Sequence, residues 1–118
     1  MKAEIELLGL DFFSYHGFYE EERKIGNKYT IDIKVTTNLS FENNNQLDST
    51  INYEILGKIA AEAMGTPTKL LEEIAVNIAQ KILQEFNQAN EAIVSVRKHN
   101  PPIGIVCQNS KVTITLHR

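Results

Sequence analysis

The sequence predicts an α+β layer in which two helices cover one face of a four-stranded antiparallel sheet. Three observations predict it. Apolar and polar residues alternate in four separate stretches, the pattern of half-buried strands. Between the second and third stretch the apolar spacing changes twice to the 3.6-residue period of amphipathic helices. The resulting order, strand, strand, helix, helix, strand, strand, segregates the helices instead of using them as crossovers between parallel strands. A length of 118 residues suits one domain spanning the chain, with enough interior to fold without a disulfide or a metal.

Residues 3 to 14 read as the first strand. Glu4 and Glu6 lie on one side and Ile5 and Leu7 on the other, followed by Leu8, Leu10, Phe12 and Phe13, with a bulge expected near Gly9. Tyr15-His16-Gly17 ends it, and Glu20-Glu21-Glu22-Arg23-Lys24 reads as a charged connection closed by Gly26-Asn27. In the second strand Tyr29, Ile31, Ile33 and Val35 alternate with Thr30, Asp32, Lys34 and Thr36. Residues 40 to 50, polar and containing Asn43-Asn44-Asn45, read as a loop.

Ile55, Leu56, Ile59, Ala60 and Ala63 predict a helix over 53 to 64, capped by Asn52 or Thr50 and stopped by Gly65-Thr66-Pro67. Gly57 inside it costs about 1 kcal/mol against alanine. Leu71, Ile74, Ala75, Ile78, Ile82 and Phe86 predict a second helix over 69 to 86, with Thr68 as N-cap and Glu72 and Glu73 complementing the dipole in its first turn. Val94 and Val96 place a strand over 91 to 98, broken by Asn100-Pro101-Pro102; Val112, Ile114 and Leu116 place the last over 111 to 117. Such a sheet keeps two pairing-competent edges. Closing the sheets of several subunits into a ring would remove them, so a homo-oligomer is expected.

Composition narrows the function. The chain is 42% hydrophobic and 23% charged, with a formal net charge of -3. That acidic balance argues against a general nucleic-acid binder. No apolar run approaches the ~18 residues of a membrane span, and Met1-Lys2-Ala3-Glu4-Ile5-Glu6 lacks a signal-peptide core. A lone cysteine, Cys107, makes no internal disulfide, so a cytoplasmic location is expected. His16, His99 and His117 stand far apart in the sequence, so no metal site is expected. Nor do the scattered glycines form a phosphate loop.

A few residues stand out chemically. Lys98 shares strand phase with Val94 and Val96 rather than with Ser95 and Arg97, which predicts an unpaired, partly buried ammonium. Desolvation favours the neutral amine and makes such a lysine usable for proton transfer; a lapse of alternation at the strand end would leave it merely solvated. Glu72 is explained by the helix dipole alone, but a helix-start carboxylate also suits a flat ligand offering two parallel N–H donors. Free N–H groups at Leu70 and Leu71 would bind a ligand oxygen beside it. Glu22 lies in a charge run that reads as solvated. Tyr53 is either a packing residue or a hydroxyl facing a pocket. His16 reads as a hydrogen-bonded turn histidine, and Cys107 as structural.

Together these segments resemble the dihydroneopterin aldolase family over nearly the whole chain. The carrying motifs are Phe12-Phe13-Ser14-Tyr15-His16-Gly17, then Glu22 with Ile25-Gly26, Asp48-Ser49-Thr50-Ile51-Asn52-Tyr53, Leu70-Leu71-Glu72, and Lys98-His99-Asn100-Pro101-Pro102-Ile103. The resemblance implies the tunnelling fold, in which subunits close their sheets into rings of four, and two rings stack into an octamer. It implies a lyase that cleaves 7,8-dihydroneopterin by retro-aldol reaction to 6-hydroxymethyl-7,8-dihydropterin and glycolaldehyde, with some side-chain epimerase activity. No cofactor is implied, because the substrate's own ring imine takes up the electron pair that a Schiff base or zinc ion would accept elsewhere.

The family's residues carry over as follows. Lys98 is the acid/base group on the side-chain hydroxyl, and Tyr53 protonates the enamine-type intermediate. Glu72 and the Leu71 backbone hold the pterin edge; Glu22 and Ile51 complete the substrate contacts. The tyrosine segment comes from a neighbouring subunit. Gly104-Ile105-Val106-Cys107-Gln108 and Ala63-Met64-Gly65-Thr66-Pro67-Thr68 depart from the family's usual loops. Two alternatives follow: the sister activity of a dihydroneopterin triphosphate epimerase, which needs a phosphate-binding cluster, and a non-catalytic ring-forming pterin-binding or interaction protein.

Overall fold

A computed structural model describes residues 1–39 and 50–118 of the chain. Four strands, β1 (Lys2–Ser14), β2 (Asn27–Asn38), β3 (Ala89–His99) and β4 (Asn109–His117), pair antiparallel in the order β1-β2-β3-β4. Three helices accompany them: α1 (Glu20–Ile25), α2 (Tyr53–Met64) and α3 (Leu71–Glu85). α2 packs on β1, while α3 packs on β3 and β4.

Alternation decides which face is covered. Tyr29, Ile31, Ile33 and Val35 of β2 and Ala92, Val94 and Val96 of β3 are all sealed from solvent. They meet Leu56, Ile59, Ala60 and Met64 of α2 and Ile74, Ala75, Ile78, Ala79 and Ile82 of α3 in one core. Each fully buried Val, Leu or Ile adds roughly 1.5–3 kcal/mol. The other sheet face is polar: Lys34 forms an ion pair with Glu4 and Arg97 with Asp32 at 2.7 Å, and His117 Nδ1 lies 2.9 Å from a Glu91 carboxylate oxygen.

The bulge falls where Gly9 predicted it. Leu7 pairs with Ile33 and Leu10 with Ile31, so Leu8 and Gly9 together oppose Asp32. Gly9 adopts φ +74°, a left-handed conformation that glycine takes without steric cost. Its N–H donates to Asp32 Oδ1 at 2.7 Å. The extra residue restores phase: Ile5 and Leu7 point to the core before it, and Leu10 and Phe12 after it.

Asn52 is the N-cap of α2, accepting the Glu54 N–H at 2.9 Å. Three expectations need correction. The charged run at 20–24 is not a loop but lies within α1, because acidic residues in its first turn and Arg23 and Lys24 in its last complement the helix dipole. α3 spans 71–85, not 69–86. Its N-cap is Leu70, not Thr68, whose hydroxyl donates instead to the Thr66 carbonyl at 2.9 Å. At the far end of α3, Arg118 donates from Nε to the Ala89 carbonyl and from Nη2 to those of Leu83 and Phe86. The loop predicted over 40 to 50 lies almost entirely outside the described residues, as do Asp48 and Ser49. Among the described residues no helix is long and apolar enough to cross a membrane.

Candidate functional site

Two glycines bring α1 against the sheet. A Cβ on Gly17 would lie 2.5 Å from Glu22 Cβ and 2.9 Å from its Oε2; one on Gly26 would lie 2.6 Å from the Phe13 ring. Both positions have positive φ, +151° and +79°, which side-chain-bearing residues rarely adopt. Arg23 ties the turn down, donating from Nη1 to the carbonyls of Gly17 at 2.8 Å and Phe18 at 2.9 Å. Glu22 is thereby pressed inward, where its Oε2 forms an ion pair with Lys98 Nζ.

Lys98 stands on β3 opposite Tyr29 of β2. Its side chain is 12% exposed and that of Glu22 18%. The phase argument therefore located a largely buried lysine, but the expected unpaired ammonium is wrong: the carboxylate from the missed helix α1 faces it. The pair borders a cavity of about 290 Å³ lined by His16, Glu21, Glu22, Ile25, Lys98 and Asn100, with Pro102 at its rim. Asn100 takes φ +47° and donates its N–H to the Gln108 carbonyl at 2.9 Å, closing the β3–β4 connection over this end of the sheet.

His16 lines the cavity and Tyr29 packs against it from β2. Both are sealed from solvent, and their rings meet edge to face with centroids 5.2 Å apart. The Tyr29 hydroxyl donates to the His16 carbonyl at 3.1 Å. Burial, helped by the Glu22 carboxylate, pushes the phenol up to about 12. His16 Nδ1 accepts the Thr68 N–H at 3.0 Å. Burial holds the imidazole below its ordinary value; the Met64 carbonyl opposes this and the Lys98 charge reinforces it.

The other residues singled out from the sequence lie elsewhere on the chain. Tyr53, 61% exposed, and the buried Ile51 border a second hollow of about 500 Å³ together with Ile5, Thr50, Asn52 and Glu54. Ile5 pairs with Val35, and Lys98 with Tyr29. Six residues of β2 separate those two points, about 20 Å at the rise of a strand. One chain therefore does not bring Tyr53 to Lys98. Leu71 and the exposed Glu72 open α3 and do not line the Lys98 cavity, but the segment leading to them is bonded to His16 and Gly17 through Thr68. Cys107 donates weakly to the Asn109 carbonyl at 3.4 Å. Among the described residues no group of three His, Cys, Asp or Glu side chains converges as a metal site.

Sequence reasoning undervalued His16 and Asn100. The signal for His16 was the Gly17 beside it; for Asn100 it was the following Pro101-Pro102, which leaves a tight reversal to the residue before them. Chemically, an ammonium held by a carboxylate in a half-closed hollow can position a hydroxyl-bearing ligand and pass a proton to or from it.

Comparison with known proteins agrees. The profile of the family described as "FolB: Dihydroneopterin aldolase" matches residues 5–115. The dihydroneopterin aldolase of Bacillus subtilis (strain 168) is 35% identical over 97 residues, 80% of this chain and 81% of that protein. Among solved structures, a putative dihydroneopterin aldolase from Vibrio cholerae O1 superposes with a TM-score of 0.81 at 16% identity, covering 98% of each chain. The E. coli dihydroneopterin aldolase in complex with neopterin gives a TM-score of 0.78 at 18% identity, over 97% of this chain and 98% of that one. At those identities the two structures speak for the fold.

Proposed function

This chain belongs to the dihydroneopterin aldolase family, a family of lyases, and from that premise we propose that it cleaves 7,8-dihydroneopterin at a site shared between two subunits. Lys98 and Glu22 of one subunit provide the proton-handling half. Tyr53 and Ile51 of a neighbour provide the other, with Glu72 and the Leu71 N–H holding the pterin edge. The observation that carries this reading is the split: the Lys98–Glu22 cavity and the Tyr53 hollow sit about 20 Å apart on one chain, each open on one side. Neither is a complete site.

In the proposed reaction the ammonium of Lys98 first passes a proton to its partner Glu22, and the neutral amine so formed accepts the proton of the side-chain hydroxyl, directly or through water. The bond between the two side-chain carbons nearest the ring breaks, and its electron pair moves into the ring imine. Glycolaldehyde leaves. Tyr53 then returns a proton to the carbon next to the ring, giving 6-hydroxymethyl-7,8-dihydropterin. Atoms and charge balance without an oxidant, and the protein supplies positioning and proton transfer. Re-addition of the same intermediate to the opposite face of the still-bound glycolaldehyde re-forms the bond with inverted configuration and accounts for a minor epimerase activity. The protein works in the cytoplasm as a homo-octamer in this reading, and residues 1–118 act as one domain.

Subunit complementation tests it. Lys98→Ala and Tyr53→Phe, each inactive alone, are mixed, dissociated and reassembled. Activity should return in up to roughly a quarter of the sites, where both native residues meet across an interface. Absence of recovery from intact mixed oligomers would refute the shared site. Turnover of the triphosphate in preference to dihydroneopterin would refute the aldolase assignment in favour of the epimerase.

A further inference from the structure

His16 is a fully buried titratable side chain lining the cavity, and the reaction above makes no use of it. Its imidazole joins three parts of the fold. Nδ1 accepts the Thr68 N–H at 3.0 Å, and the adjacent Gly17 N–H donates to the Thr68 carbonyl at 2.9 Å. These two bonds zip the end of β1 to the segment just before α3. The His16 carbonyl is held by the Tyr29 hydroxyl of β2, so the histidine cannot shift without disturbing the strand that faces Lys98. Nε2 is buried and makes no hydrogen bond of ordinary geometry among the described residues, the Met64 carbonyl being the backbone acceptor that faces the ring.

An imidazole nitrogen that accepts a hydrogen bond carries no proton. Nδ1 is thus the bare nitrogen, and the proton sits on Nε2. Protonating Nδ1 would set its N–H against the Thr68 N–H, two donors with no acceptor between them. The segment 68–70 would then lose its anchor, and with it the placement of Leu71 and Glu72 relative to Lys98.

We infer that His16 is a positioning residue for the pterin-binding half of the site: through the Thr68 N–H it locks the start of α3 in register with the Lys98–Glu22 pair. The inference rests on the reading of Leu71 and Glu72 given above, and deepens it. His16 touches no substrate in this account and takes no proton in the chemical step. Its influence falls on substrate binding, and only while the ring is neutral. The groups facing it are Tyr29 from β2, Lys98 from β3, Glu22 from α1 and the Met64 carbonyl at the end of α2. Burial and the Lys98 charge keep the neutral form dominant, so substrate affinity should weaken as pH falls below the ordinary histidine range.

Two isosteric swaps separate positioning from packing. In His16→Asn the side-chain Oδ1 stands where Nδ1 does and can still accept the Thr68 N–H; in His16→Gln the amide reaches the Nε2 position instead. Amide exchange at Thr68 and dihydroneopterin turnover are measured for both, across pH. His16→Asn should keep Thr68 protected, hold KM near the native value and lose the acid-side rise in KM. His16→Gln should expose the Thr68 amide and raise KM by about tenfold to a hundredfold, with a smaller change in kcat. Equal KM values in the two variants, or an unchanged acid limb in His16→Asn, would overturn the inference. In the native protein, 15N spectra at neutral pH should show His16 protonated at Nε2 alone; a proton on Nδ1 would overturn it whatever the variants do. If the native protein fails to turn over dihydroneopterin, the reading of the site falls instead, and the Thr68 exchange still decides whether His16 holds this segment.

Discussion

Lys98 and Glu72 divide the labour of the proposed site, and their removal should be felt in different constants. Positioned acid/base catalysis contributes about 10²–10⁴-fold, so Lys98→Ala should slow single-turnover cleavage by that factor and change pterin affinity much less. The ion pair adds a structural consequence. Removing the ammonium leaves the Glu22 carboxylate, 18% exposed, without its counter-charge, so Lys98→Ala should also destabilise the fold by about 1–3 kcal/mol. Most of that loss should disappear in the Lys98→Ala, Glu22→Gln double variant. A stabilised single variant would show that the pair contributes nothing. Glu72→Ala should behave in the opposite way: it is exposed at the start of α3, so the fold should persist. Loss of two charge-assisted bonds, about 1.5–3 kcal/mol each, should weaken pterin binding tenfold or more. Unchanged affinity by titration would return Glu72 to the dipole.

At the scale of elements, the β1 bulge is held by a carboxylate. Asp32 accepts from the Gly9 N–H and from Arg97 Nη2, both at 2.7 Å. Burial pushes its carboxyl upward, but the Gly9 N–H and the Arg97 guanidinium together outweigh that and hold it below the usual carboxylate range. A carboxyl depressed in the folded state stabilises above its unfolded pKa, and that contribution is lost as pH falls through the folded value. Asp32→Asn should therefore cost about 1–3 kcal/mol at pH 7. The gap to the native protein should close as pH drops below about 4. Chemical denaturation at the two pH values measures it; a gap that persists in acid would assign the cost to geometry rather than charge. The bulge was readable because glycine is the residue that takes its conformation. α1 was not read as a helix: six residues (Glu20–Ile25) are too few for a periodic signal, and its one cue was acidic residues preceding basic ones.

The whole molecule has two open edges, β1 and β4, and two hollows at opposite ends of its sheet. Exposed edges pair with other chains unless covered. Phe13, Phe18, Tyr19 and Ile25 are each more than half exposed around the Lys98 end. Closure of the sheets into rings would pair the edges and bring a neighbour's Tyr53 toward Lys98. Light scattering should give a closed homo-oligomer with the mass of eight chains. Dilution to the monomer should abolish turnover while the circular dichroism of the sheet and helices remains. A fully active monomer would refute both the assembly and the shared site.

The sequence by itself determined the order of the four strands and the two long helices, the covered sheet face and the bulge. Each depends on local periodicity or on one residue's backbone freedom, and both are written along the chain. It also marked Lys98 by phase, and by resemblance the family's site residues. Only the tertiary structure decided that Glu22 pairs with Lys98, that His16 accepts the Thr68 N–H just before α3, and that Tyr53 and Lys98 are remote within one chain. Those facts join residues separated by tens of positions: Glu22 to Lys98 across α1 and β3, His16 to Thr68 across the whole of β2 and α2. Periodicity reports which way a side chain points. Which partner it meets is set by how the layers pack and where Gly17 lets two segments approach.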